Sequence, residues 1–173
     1  MTDGPEPPYE RIRTYLVRDA MTTDVAVARL EDTLLSAAQV MRERKVSGLP
    51  VIGPHGVVVG VLSERDIVDR LRSSAGISKS RGILDLIVEA ANGGTERIAQ
   101  CAQTLKSAHV GDAMTRRPVT IEPDEPLSEA ARWLHQAGIH RLPVVEDRKL
   151  VGIVTRDDIL RMAVPPAPRM PTA

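Results

Sequence analysis

The sequence predicts an α/β (α+β) fold built from two copies of one strand–helix–strand–strand–helix unit. Three observations carry that expectation. Asp19-Ala20-Met21-Thr22 returns as Asp112-Ala113-Met114-Thr115, a spacing of 93 residues, and the same spacing aligns Leu49-Pro50-Val51 with Leu142-Pro143-Val144. After one residue is lost in a turn, Gly60-Val61-Leu62-Ser63-Glu64-Arg65-Asp66-Ile67 aligns with Gly152-Ile153-Val154-Thr155-Arg156-Asp157-Asp158-Ile159. Between these blocks, Leu34, Ala37, Ala38 and Met41 fall at i, i+3, i+4 and i+7, as do Leu127, Ala130, Ala131 and Leu134; this is the apolar stripe of a helix. Agreement at so many fixed positions marks an internal duplication.

Residues 25–28 and 119–121 are short and rich in β-branched side chains, as a first strand requires. Asp32 is an N-cap candidate for the helix that follows, and Pro126 suits the first turn of its counterpart. The two helices should stop near Lys45 and Gly138. Residues 49–52 and 142–145 read as buried strands, 54–56 and 147–149 as turns, and 57–62 and 150–154 as the returning arms. Ser63 and Thr155 are natural N-caps for final helices running to about Leu71 and Met162. One unit of about 50 residues buries little core alone. Two packed with pseudo-two-fold symmetry bury more, and leave two related clefts between the halves.

Composition narrows the function. The 173 residues carry 23 Lys+Arg against 23 Asp+Glu, a formal net charge of zero, so there is no basic surplus for nucleic acid. Phe is absent, with one Trp and two Tyr, which removes a stacking platform for single strands. Arg116 and Arg117, with Arg11, Arg13 and Arg18, read as solvated faces. A single cysteine, Cys101, excludes a disulfide framework and a Cys-rich zinc site, and its apolar helix face points to burial. The N-terminus lacks a signal-peptide pattern, and the apolar run at residues 57–62 is too short to span a bilayer. The expected setting is cytoplasmic. His109 and His135 have no metal-ligand spacing, so no metal site is expected. No nucleophile–base pair or Walker-type loop is present, so no catalytic residue is assigned and an enzyme is not expected.

The succession Asp-Ala-Met-Thr, strand, Ala-rich helix, Leu-Pro-Val, then Gly-hydrophobic-hydrophobic-Ser/Thr-x-x-Asp-Ile resembles the cystathionine β-synthase (CBS) domain. Two copies, over residues 17–71 and 110–162, resemble a CBS pair, or Bateman module. The resemblance implies regulatory binding of adenosyl ligands: AMP, ADP, ATP, S-adenosylmethionine, or sometimes NAD or cyclic dinucleotides. It also implies a homodimer and service as a sensor. No catalytic domain accompanies the pair, so a stand-alone regulatory protein is expected, with no catalytic cofactor.

The family's ligand motif falls on Ser63 with Asp66, and on Thr155 with Asp158. A hydroxyl at a helix N-cap stands three residues before a carboxylate in the first turn, so both can face one cleft. A carboxylate can accept both ribose hydroxyls, while the hydroxyl and helix N-terminus suit phosphate. The same spacing is also a capping box, which needs no ligand. His140-Arg141 before the second strand resembles nucleotide-binding repeats of the AMP-activated kinase γ subunit, where the pair touches phosphate. The first repeat has Ser47-Gly48 there, so the two clefts should differ, with the cleft that Arg141 faces left open. Val27, Thr120 and Pro143 are candidates for the adenine wall. Met21 and Met114 read as core plugs.

The chain therefore divides into repeat one (residues 10–71), a helical insert (72–109), repeat two (110–164) and a disordered Pro-rich tail (165–173), with residues 1–8 similar in composition. In the insert, Ile83, Leu86, Ile87, Ala90 and Ala91 form one helical face, Asn92-Gly93-Gly94 breaks it, and Thr95 opens a second helix with Ile98, Cys101, Ala102 and Leu105 on its apolar face. This hairpin would bridge the pair or contact a dimer mate. The leading expectation is an adenosyl-ligand sensor that relays ligand level to a protein partner. The alternative is a ligand-independent dimeric scaffold acting through the insert.

Overall fold

The computed structural model describes residues 12–75 and 95–164. The first insert helix and both tails lie outside the described residues. The elements, in order, are α1 (Val17–Ala20), β1 (Ala28–Arg29), α2 (Leu34–Arg44), β2 (Gly48–Ile52), a 3-10 turn (Pro54–Gly56), β3 (Val58–Ser63), α3 (Glu64–Ala75), α4 (Thr95–Ser107), α5 (Val110–Ala113), β4 (Thr115–Arg116), α6 (Leu127–Gln136), β5 (Arg141–Glu146), β6 (Lys149–Thr155) and α7 (Arg156–Ala163). The mixed α/β class and the duplicated order of elements are as the sequence predicts.

The chain folds as two compact units, and they are not the two repeats. Among the described residues, one unit takes 26–75 and 95–118, and the other takes 12–25 together with 119–164. Each Asp-Ala-Met-Thr block thus packs in the unit built on the other repeat. In the first unit β1–β2–β3–β4 form one sheet, with β1 parallel to β2, and β2–β3 and β3–β4 antiparallel. Here β4, which follows Met114, pairs Thr115 with Val61. In the second unit β5 and β6 form a hairpin, and Thr22 bridges Ile153 through two backbone bonds of 2.9 Å.

Glycine makes this crossing possible. A Cβ at Gly152 would sit 2.6 Å from Met21 Sδ, and one at Gly60 would collide with Met114 Sδ. Each methionine lies flat on a strand that has no side chain at that point. Met114 is buried and Met21 half-buried, as expected of core plugs.

The cores are aliphatic. Leu34, Ala37, Met41, Leu49, Val51, Leu62 and Ile67 are buried in the first unit; Val17, Ile121, Leu127, Ala130, Leu134, Leu142 and Val154 are buried in the second. Both helical stripes therefore face inward. Helix α4 lies on α2 and α3, and Cys101 and Leu105 pack on the first core. Ile98 is 50% exposed and Ala102 is exposed, so the apolar face is narrower than its sequence pattern suggests. The contact side is set by Thr104, whose hydroxyl lies 2.9 Å from that of Ser74, and by Gln100, whose Nε2 donates to the Ser74 carbonyl at 2.7 Å.

Two local expectations are corrected. The N-cap of α2 is Thr33, accepting from Ser36 N at 3.1 Å; Asp32 instead accepts from Arg29 N at 2.7 Å and closes the preceding turn. The first strands are shorter than β-branched content suggests. Only Ala28–Arg29 pair in one unit, and only Ile121 bridges Val144 in the other. The reason is a proline in the partner strand. Ile121 N donates to Pro143 O at 3.1 Å, and Val145 N donates to Ile121 O at 2.9 Å. The preceding rung would need an N–H on Pro143, which has none. Pro50 stands in the same place beside Ala28, because Ala28 pairs Val51. Residues 26–27 and 119–120 therefore carry no strand pairing.

Candidate ligand-binding sites

The hydroxyl–carboxylate pair begins the last helix of each repeat. At α3, Ser63 N and Ser63 Oγ donate to Asp66 Oδ2 at 2.7 and 2.6 Å. Asp66 N returns a bond to Ser63 Oγ at 3.3 Å. At α7, Thr155 N and Oγ1 donate to Asp158 Oδ2 at 2.9 and 2.7 Å, and Asp158 N returns to Thr155 Oγ1 at 3.4 Å. Both are capping boxes. They hold the carboxylate in the first helical turn with one oxygen directed away from the cap.

Across each hairpin, the residue facing the hydroxyl differs between the repeats. Gly48 pairs Ser63 in the register of β2–β3, and Arg141 pairs Thr155 in β5–β6. The short Ser47-Gly48 and His140-Arg141 segments are thus brought beside the capping boxes of their own units. Gly48 is buried and Ser47 exposed; Arg141 is half-buried and His140 exposed.

The remaining candidates divide the same way. Val27, half-buried, belongs with Ser47, Gly48, Ser63 and Asp66 in the first unit. Exposed Thr120 and buried Pro143 belong with His140, Arg141, Thr155 and Asp158 in the second. The Pro143 carbonyl accepts from Ile121 N, and its ring is buried. Val27 and Thr120 lie in the segments that the prolines leave outside the ladder. Their peptide groups are not committed to a neighbouring strand.

The sequence reading missed Arg161. Its Nη2 donates to Asp158 Oδ1 at 2.7 Å and to the Ala20 carbonyl at 3.2 Å. Asp158 is 6% exposed, the one buried ionisable residue among the described residues. An Asp-x-x-Arg spacing on one helix was the available signal. Arg156 also differs from its repeat partner Glu64; it donates to the Leu134 carbonyl at 3.0 Å and caps the end of α6. The positions around Thr155 and Asp158 thus hold His140, Arg141, Arg156 and Arg161, where the first unit holds Ser47, Gly48, Glu64 and Asp69. Asp157 opposes these cations where the first unit has Arg65, and Arg161 is paired with Asp158, so the second constellation is the more cationic of the two by a modest margin.

Among the described residues, no three His, Cys, Asp or Glu side chains converge as metal ligands, and no helix is long and apolar enough to cross a membrane.

Known proteins resemble this chain in sequence and fold. An uncharacterized protein of Methanocaldococcus jannaschii is 31% identical over 86% of this chain and 91% of its own length. The chloroplastic CBS domain-containing protein CBSX2 of Arabidopsis thaliana is 33% identical over 87% of this chain, which spans 64% of that protein. The solved structure of CBSX2 in complex with AMP has a TM-score of 0.64 at 32% identity, covering 86% of this chain and 96% of that one. The CBS domain pair of protein MJ0100, solved with 5′-methylthioadenosine and S-adenosyl-L-methionine, has a TM-score of 0.60 at 26% identity, covering 86% and 98%. The CBS domain profile itself matches residues 17–73 and 110–164, so this chain belongs to the CBS domain family as a tandem pair.

Proposed function

We propose that this chain is a regulatory module that binds adenosyl ligands through the two constellations and relays ligand level to a protein partner. The observation that carries this is the repeated placement of a hydroxyl–carboxylate capping box beside a hairpin residue that is Gly48 in one unit and Arg141 in the other. Asp66 and Asp158 accept ribose hydroxyls, Ser63 and Thr155 support ribose or phosphate, and Arg141 with His140 hold phosphate. Val27, Thr120 and Pro143 line the adenine. The AMP bound by CBSX2 and the adenosyl pair bound by protein MJ0100 support this ligand class. The charge contrast assigns phosphate-bearing ligands to the unit with Arg141, and uncharged or cationic adenosyl ligands to the unit with Glu64 and Asp69.

Switching requires ligand to bind one arrangement of the molecule better than another. The module acts in the cytoplasm as a homodimer. Trp133, Leu160 and Val164, at 39%, 60% and 59% exposure on or beside α6 and α7, give the second unit an apolar surface for association. The alternative, if no ligand binds, is a ligand-independent dimeric scaffold acting through the inserted helices.

Thermal unfolding of the full chain against AMP, ATP and S-adenosylmethionine tests the proposal. Ligand at about 100 times its dissociation constant should raise Tm by about 5–10 °C. The shift should vanish in an Asp66→Asn/Asp158→Asn double variant. No shift with any of them at millimolar concentration overturns the sensor reading in favour of the scaffold.

A further inference from the structure

We propose that Arg161 is an intramolecular competitor for the ribose acceptor on Asp158, so that an uncharged nucleoside is held first by the unit that carries Asp66. The inference rests on the reading of Asp66 and Asp158 as ribose acceptors. A carboxylate offers about four acceptor positions, two on each oxygen. In both units Oδ2 is filled from within the capping box, by the backbone N and hydroxyl of Ser63 or of Thr155. Two vicinal ribose hydroxyls must therefore be received by Oδ1. Among the described residues, Oδ1 of Asp66 accepts nothing. Oδ1 of Asp158 accepts the Arg161 guanidinium at 2.7 Å. Asp158 has one position left where Asp66 has two.

The duplication shows that this difference is local and chemical. Arg161 aligns with Asp69, one turn along α3. Asp69 is engaged by Arg72 at 3.1 Å and Arg65 at 3.8 Å. No cation of that helix reaches Asp66. Arg161 is anchored a second time at the Ala20 carbonyl, at the end of α1. The Asp158 side chain is 8% exposed and the Arg161 side chain 62%. The carboxylate is withdrawn from water, where a competing donor matters most, while the guanidinium can leave toward solvent when a hydroxyl displaces it.

Adenosine is the probe, because it carries no phosphate whose attraction to arginine would mask the effect. Calorimetric titration of adenosine, with AMP alongside, would compare the full-length chain with Asp66→Asn, Asp66→Asn/Arg161→Ala and Asp66→Asn/Arg161→Lys. Asp66→Asn should remove the tighter adenosine site. In that background Arg161→Ala should tighten the remaining site about two- to fivefold, as loss of a part-exposed ion pair allows, and Arg161→Lys should restore most of the weakness. A merely structural arginine would not give tighter binding on removal. Unchanged or weaker adenosine binding in Arg161→Ala, or a tighter site that survives Asp66→Asn, overturns the inference alone. Absence of binding by both adenosine and AMP to the unaltered chain overturns the adenosyl reading itself, and the competitor with it.

Discussion

Oδ2 of Asp158 caps α7 while Oδ1 holds Arg161, and both bonds form with the side chain almost out of water. A residue with that much structural duty cannot be tested for ligand binding by deletion alone. Asp158→Ala removes the acceptor for Thr155 N and Oγ1, and strands the Arg161 contact. Loss of a helix cap costs about 0.5–2 kcal/mol, so urea unfolding should register about 1–2 kcal/mol, toward the upper end for this buried site. Asp66→Ala should cost less, because Asp66 is half-buried and has no arginine partner. Equal losses at the two positions would show that burial and the Arg161 pair add nothing to the cap. The hydroxyl–carboxylate pairs were legible in the sequence because both the cap and the ligand reading need the same spacing. Arg161 was not, because a cation three residues along a helix is ordinary on any solvated face, and only the fold shows that Asp158 is buried beneath it.

At the scale of elements, hydrophobic periodicity located the long helices and the hairpins, while the ends of the first strands and the Thr33 cap escaped it. Residues 25–28 have the composition of a strand, yet pairing begins only at Ala28. The determinant is Pro50 in the neighbouring strand, so it cannot be found by examining the segment itself. The glycines of β3 and β6 are a second case of determination from outside the element. Gly152 is required by Met21, which lies 131 residues earlier in the chain. Gly152→Ala places a Cβ 2.6 Å from Met21 Sδ and 3.2 Å from the Thr22 carbonyl. Overpacking of this kind costs about 1–3 kcal/mol. The double variant Gly152→Ala/Met21→Ala should recover part of the loss that the single variants predict by addition. Strict additivity in denaturant unfolding would mean that the methionine does not occupy the glycine's face. Leu142→Ala, at the second residue of β5 with no exposure, should cost about 2–5 kcal/mol by the same measurement, because the surrounding Leu127, Leu134 and Val154 cannot close the void fully.

On the scale of the whole molecule, sequence repeats and folding units divide the chain differently. The duplication is read in blocks that begin at Asp19 and Asp112, whereas the compact units begin after Val25 and end at Pro118. Each repeat therefore supplies the methionine that covers the strand glycine of the other. A fragment cut at residues 10–71 would keep Gly60 but lose Met114, α5 and β4. Crossing of this kind makes the stability of each unit depend on a segment remote in sequence. Hydrogen exchange reads the dependence directly, since local opening is reported amide by amide. Met21→Ala should speed exchange along β6, at Gly152 and Val154, and leave β3 protected. Met114→Ala should do the reverse, exposing Gly60 and Leu62 while β6 keeps its protection. The effect of Met114→Ala should be the larger, since that side chain is buried and Met21 only half-buried. If Met21→Ala instead loosened β3, the covering segment would belong to its own repeat, and the two units would be the two sequence repeats after all.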